Sequence, residues 1–406
     1  MAKLQLIATA AFGVEAVVAR ELKKLGYTDQ FVENGKVTFA GDLEAICRAN
    51  IWLRSAERVF LKIGEFKATS FEELFENTKA LPWEEWIPED GEFPVVGKSV
   101  DSKLASISDC QAIVKKAVVE RLKQKYKKEW FEETGGKYKI EVSLLKDIAT
   151  LSIDTSGAGL HKRGYRKLVS AAPIKETLAS AMIQISRWNA DRVLIDPFCG
   201  SGTIPIEAAM IGRNIAPGLQ RNFAAETWNI IPASMWKKAR VEAKESIIVD
   251  KDLRITGTDI DDKVLSLARY HSKLAGVDDC IHFQRMDVSD ISSRYKYGFI
   301  ITNPPYGDRM NEIKEVEKLY EKMGKIFKKF DTWSFYIITS HQGFEKYFGR
   351  KADKKRKLYN GRIMCYYYQF FGPPPPKKED KISDEEKISM IDNLILDNKI
   401  SDEEKG

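Results

Sequence analysis

Asp196-Pro197-Phe198-Cys199-Gly200-Ser201-Gly202-Thr203 gathers a carboxylate, two glycines and two hydroxyls into one short stretch. The run Val193-Leu194-Ile195 before it is apolar and β-branched, and Ile204 to Met210 after it is helical in composition. The glycines therefore fall at a strand-to-helix turn. Gly200 and Gly202 let the backbone take φ > 0 and approach a ligand closely, while the first helical turn offers unpaired N–H groups. The spacing is not that of a dinucleotide fingerprint, and no Gly-Lys-Ser/Thr is present to hold a β/γ-phosphate. Asp196 would repel a pyrophosphate but suits a cation. S-Adenosyl-L-methionine carries a sulfonium and an ammonium beside its carboxylate, so Asp196, Pro197, Phe198, Gly200, Ser201, Gly202 and Thr203 are expected to bind it. A tight turn with no ligand is the bland alternative.

The same layout recurs downstream. Arg254 to Thr258 is a short run ending at Asp259-Ile260, followed by an amphipathic helix over 262–275. Asp259 can accept both ribose hydroxyls of a nucleoside. Ile281 to Arg285 leads to Met286-Asp287-Val288, where Asp287 can accept a hydrogen bond from an adenine amino group. Either aspartate alone would serve as well as a helix N-cap. Their recurrence at successive strand ends favours a cofactor, because open α/β sheets bind ligands outside the carboxyl ends of their strands.

Phe299 to Thr302 has a buried-strand pattern and runs into Asn303-Pro304-Pro305-Tyr306. Two prolines remove two backbone donors and hold Asn303 extended, which frees local acceptors. The Asn303 side-chain oxygen and the Pro304 carbonyl can each accept one N–H of a planar exocyclic amine. Tyr306 offers a face on which a base can stack, a contact worth about 1 to 3 kcal/mol in nucleic-acid systems. Asn303, Pro304, Pro305 and Tyr306 are thus the candidate catalytic residues, with an ordinary proline turn as the alternative.

With these motifs in place, the chain resembles the THUMP-domain RNA methyltransferases, and among them the bacterial enzymes that methylate guanine N2 in 23S ribosomal RNA. The resemblance spans residues 1–372. It includes His161-Lys162-Arg163-Gly164-Tyr165-Arg166, the segment from Ala172 to Ala179, Ile215 to Leu219, and Gly307-Asp308-Arg309. It implies a contact to the methionine end of the cofactor from Lys175 and Thr177. It also implies an RNA substrate, ribosomal or transfer, met by His161, Lys162, Arg163, Tyr165, Arg166, Arg221 and Arg309. Adenine-N6 methylation of RNA or DNA would use the same turn, since both amines present two N–H groups. A catalytically idle RNA-binding factor is the remaining class.

The elements that must position these residues follow from patterning. The chain is 406 residues long and 43% hydrophobic, enough for two or three cores. Residues 1–65 and 66–155 alternate short strands with helices in an α+β style, which the resemblance identifies as a ferredoxin-like subdomain and a THUMP module. A basic linker spans 156–170, a Rossmann-like α/β methyltransferase domain spans 171–372, and an acidic tail spans 373–406. Residues 212–236, rich in arginine and aromatics, form either a lid or a packing brace. The helix predicted over Ser108 to Lys127 is lysine-rich and, with Trp83, Trp86 and Trp130, is a candidate RNA surface. Five scattered cysteines and only four histidines point to a reducing cytoplasm and to no metal site. No run is long enough to cross a membrane. The net charge of +6 fits a polyanionic partner.

Overall fold

In the computed structural model the described residues are 3–168, 174–307 and 310–376, with Met310 and Asn311 described in backbone only. Arg309, the start of the Pro173 helix and the repeats of the acidic tail lie outside them. The described residues through Gly372 form one compact unit. Among the described residues no helix is long and apolar enough to cross a membrane.

The first half folds in chain order as β1 (Leu4–Ala10), α1 (Glu15–Lys24), β2 (Gln30–Glu33), β3 (Lys36–Gly41), α2 (Leu43–Trp52) and β4 (Ala56–Lys67). It continues with α3 (Phe71–Ala80), β5 (Val95–Val100), α4 (Ile107–Tyr126), β6 (Ile140–Leu145) and β7 (Ile148–Asp154). All seven strands join one sheet in the order β2-β3-β1-β4-β7-β6-β5. A boundary at 65/66 therefore cuts through β4. That strand pairs with β1 on one side and β7 on the other, so the two modules share a ladder. Local chemistry sets the helix starts: the side chains of Asp42 and Ser70 cap α2 and α3 by accepting from Ala45 and Glu73 N–H groups.

The second half comprises α5 (Glu176–Ser186), β8 (Leu194–Asp196), α6 (Thr203–Gly212), α7 (Ala233–Glu245), β9 (Ile255–Asp259), α8 (Asp262–Ala275) and β10 (Ile281–Arg285). After these come β11 (Phe299–Thr302), α9 (Met310–Phe327), β12 (Ser334–Thr339), α10 (Phe344–Phe348), β13 (Lys354–Asn360) and β14 (Ile363–Phe370). The sheet order is β10-β9-β8-β11-β12-β14-β13, parallel from β10 to β12 and antiparallel beyond. The chain steps outward from β8 to β10 and then returns to β11. The strand order thus reverses between β8 and β11, and the carboxyl ends there open a crevice.

The two halves share one apolar core, running from Leu6 and Val17 through Met182 to Tyr367. Residues 156–168 plug the seam, which corrects several expected RNA contacts. Arg163 is 2% exposed, and its guanidinium donates to Glu207, to the Leu160 carbonyl and to the Arg54 carbonyl. Tyr165 and Ser180 donate to the same Glu207 carboxylate, at 3.1 and 2.6 Å. Arg221 is spent on the carbonyls of Ser156, Ala158, Gly159 and Lys162. Arg166 bonds Thr203 Oγ1 at 2.5 Å and pairs with Glu176. His161 sits beside Glu57, and burial pulls its imidazole down to about 4, so it is neutral at pH 7. Lys162 alone of this stretch's expected contacts keeps an exposed cationic side chain. These cations face inward because the linker bridges two domains whose buried carbonyls and carboxylates need donors.

Residues 212–236 are a brace and not a lid: Phe223 stacks on Trp236 at 5.5 Å, and Trp228 stacks on Tyr138 at 5.0 Å across the seam. Trp83 is wholly buried, whereas Trp130 is exposed. The basic face of α4 is largely neutralised, since Lys115, Arg121 and Lys123 pair with Glu133, Glu84 and Glu129. Glu207→Ala should leave the Arg163 charge buried and unpaired, a loss of about 3–5 kcal/mol. Urea unfolding followed by circular dichroism checks this; a loss under 1 kcal/mol would mean the seam is wet.

Candidate active site

Parallel pairing brings the carboxyl ends of β8, β9, β10 and β11 to one edge, and a cleft of about 560 Å³ opens there. Pro197, Phe198 and Gly200 line it from the turn after β8, Asp259 and Ile260 from β9, Asp287 and Val288 from the end of β10. Asn303, Pro304, Pro305 and Tyr306 line it from the end of β11. Side chains separated by more than a hundred residues thus face one space of ligand-binding size.

The turn after β8 is shaped by its glycines. Gly200 has φ +51°, and a Cβ built on it would point into open space. Gly202 has φ +86°, and its Cβ would stand 3.0 Å from that of Ala268, so α8 packs directly on the loop. The Gly200 N–H donates to Asp259 Oδ2 at 3.0 Å, which joins the ends of β8 and β9. Asp287 accepts from Lys322 at 2.6 Å and from Ser289, and these hydrogen bonds hold its carboxyl down at about 2. Among the described residues the hydrogen bonds to this carboxylate run through Oδ1.

Asp196 departs from expectation. It does not line the cleft; it is 1% exposed and accepts a 2.6 Å hydrogen bond from Thr302 and a 3.2 Å bond from the Phe198 N–H. It clamps the glycine loop to the strand that ends in Asn303. Ser201 and Thr203 are likewise buried, and the cleft does not include them or Gly202. Lys175 and Thr177 both bond Glu57 of β4, so they tie the domains together away from this cleft.

At the other wall, the Tyr306 hydroxyl donates to Asn303 Oδ1 at 2.5 Å, and the Pro305 carbonyl accepts from Tyr320 at 2.7 Å. The tyrosine ring is partly buried against the core, and its phenol is raised by desolvation. Asn360, 3.5 Å from the Tyr306 hydroxyl, and Ile363 complete the wall from the β13–β14 turn. Sequence reading missed both. The signal was there in Asn360-Gly361, a strong hairpin pair, with Gly361 at φ +64°. Leu319 and Val264 add apolar surface from α9 and α8.

Family models match the chain in three stretches: an RlmL ferredoxin-like domain over 5–60, a THUMP domain over 68–154, and an RMKL-like methyltransferase domain (UPF0020) over 163–369. A candidate RNA methyltransferase of Bacillus subtilis (strain 168), YpsC, is 54% identical over 89% of this chain and 94% of its own length. The ribosomal RNA large subunit methyltransferase K/L of Syntrophotalea carbinolica is 33% identical over 90% of this chain. The chain spans about half that relative's length, 53%. A crystal structure from Listeria monocytogenes, described as a predicted N6-adenine-specific DNA methylase, is 53% identical and superposes with a TM-score of 0.88, covering 92% of this chain and 97% of that one. The methyltransferase SMU.472, crystallised with SAH, is 46% identical with a TM-score of 0.87, over 92% of this chain and all of that one.

Burial raises the Asp196 carboxyl from 3.8 to about 7. A carboxyl raised on folding contributes its full share below pH 4 and loses it as pH climbs through 7. Stability should therefore fall between about pH 4 and 7 more steeply in the wild type than in Asp196→Asn. Urea melts at each pH measure it, and parallel profiles would exclude the buried, raised carboxyl.

Proposed function

The chain belongs to the RMKL-like methyltransferase family, and from that premise we propose that it transfers a methyl group to the exocyclic N2 amine of a guanine in large-subunit ribosomal RNA. At the coarser level it is an S-adenosyl-L-methionine-dependent RNA methyltransferase. The cofactor, when bound, supplies an electrophilic methyl on a sulfonium. The residues lining the cleft suit it: Gly200 leaves open space where a side chain would stand, Asp259 is a ribose acceptor, and Asp287 Oδ2 is an acceptor for the adenine amine.

The observation that carries this reading is the meeting of Asn303 and Pro304 with Gly200, Asp259 and Asp287 in one cleft. Asn303 Oδ1 and the Pro304 carbonyl accept the two N–H groups of the target amine, which turns the nitrogen lone pair toward the methyl. The incoming amine takes the acceptor now used by the Tyr306 hydroxyl, and the tyrosine ring braces the base. Positioning supplies most of the rate, through the proximity of two held reactants. The base must leave its helix or come from a single strand to reach this depth. Lys162 and Arg309 are proposed RNA contacts, and cytoplasmic action on ribosomal RNA follows from the substrate.

Adenine-N6 methylation is the second reading, favoured by the description of the Listeria structure; guanine-N2 methylation of transfer RNA is a third. Incubation with labelled cofactor and ribosomal RNA, then nucleoside analysis, should yield N2-methylguanosine. N6-methyladenosine would replace the base assignment, and label in transfer RNA alone would replace the substrate. Asn303→Ala should abolish turnover with cofactor affinity, measured by calorimetry, within a few fold of wild type. Asp259→Ala should instead weaken the cofactor at least tenfold. Equal loss of both functions in Asn303→Ala would make that residue structural.

A further inference from the structure

A second cleft, of about 490 Å³, lies between helices of the two halves, where α5 ends at Ser186 and α7 packs on α2. Arg20 and Lys24 of α1, Trp52 at the end of α2, Arg54 just after it and Arg187 after α5 line it. Arg54 is 8% exposed, and among the described residues its Nη1 has no hydrogen-bond partner; the buried Nε1 of Trp52 has none either. The acids of the cleft already accept hydrogen bonds, and the Glu21 carboxylate, with that of Glu207, offsets the Arg54 charge only from a distance. Glu21 accepts from the Arg54 and Ser55 N–H groups and from Gln184, and Glu242 holds Arg48 in a two-point ion pair.

Guanidinium and indole N–H groups donate and do not accept. Whatever meets them must therefore be an acceptor, and the surplus of cations makes it an anion. Leaving a buried guanidinium unpaired is costly, and a charge-assisted contact removes that cost. Desolvation pulls Arg54 down to about 10, so it stays charged at pH 7. The donors approach from α1, from α2 and from the end of α5. A tetrahedral oxyanion accepts on all those sides, whereas the acceptor sites of a carboxylate lie in one plane. The cleft also exceeds a bare phosphate in volume, which leaves room for the group that carries it.

We propose that this cleft is a binding site for a phosphate group, carried either by a free nucleotide or by the backbone of the RNA substrate. It stands apart from the cofactor cleft and does not depend on which base is methylated.

The test compares the full-length wild type with Arg54→Met and with the double rim variant Arg20→Ala/Lys24→Ala, whose exposed positions on α1 leave the core intact if Arg54→Met fails to fold. Inorganic phosphate, against chloride at equal ionic strength, should raise Tm in the wild type, and the rim variant should lose at least half of that rise. S-Adenosylmethionine affinity should stay within twofold. If the phosphate belongs to RNA, the rim variant also flattens the salt dependence of RNA binding by about one unit of slope. A lost phosphate response with an unchanged slope assigns a free phosphate or nucleotide. Should neither the phosphate response nor the salt slope differ between wild type and rim variant, the site is overturned.

Discussion

The hydrogen bond from the Thr302 hydroxyl to the Asp196 carboxyl, 2.6 Å long and buried, joins the two strand ends on which this protein depends. One end leads into the glycine loop and the other into Asn303-Pro304-Pro305-Tyr306. A companion bond from Gly200 to Asp259 adds the next strand. Since β8 lies between β9 and β11 in parallel register, both bonds link the ends of neighbouring strands. The cost is a carboxyl held out of water, and its raised pKa is the signature. The groups that line the cleft are thus fixed by bonds between strand ends.

The wall opposite the glycine loop is supported differently. Asn360 and Ile363 sit on the turn of an edge hairpin, and β13 of that hairpin rests on the N-terminal module. Arg356 donates to the Gly13 carbonyl at 3.0 Å, and Tyr359 meets Phe12 edge-on at 6.1 Å. A Cβ on Gly13 would stand 2.5 Å from the Lys357 carbonyl, so the approach requires glycine there. The module at the start of the chain therefore braces the catalytic cleft directly.

Charge in this protein works more at its seams than at its surface. Arg48, Arg58 and Arg163 all bridge segments far apart in sequence, to Glu242, Asp154 and Glu207. A positive stretch such as His161 to Arg166 reads as a polyanion contact when its surroundings are unknown. Here it supplies donors to buried carbonyls and carboxylates, and it leaves few cations for solvent. Removing one member of such a pair harms the fold more than the pair itself helps it.

The cleft residues Gly200, Asp259, Asp287, Asn303, Pro304 and Tyr306 were legible from sequence, because strand-end acids, glycines and prolines act through their own backbone geometry. The strands β10, β11 and β12 and the helix α8 were legible for the same reason: hydrophobic periodicity is a local property. Asp196, Arg163, Tyr165, Arg221 and Thr177 were misread, since burial depends on what another segment brings against a side chain, and no spacing records that. The merging of the first two modules into a single sheet escaped notice because β4 reads as one strand, whichever neighbours it acquires. Composition and pattern determined the element types and the chemistry on offer. Which polar groups meet a ligand and which hold the domains together was decided only when distant chain segments packed, because desolvation and pairing are properties of the assembled interior.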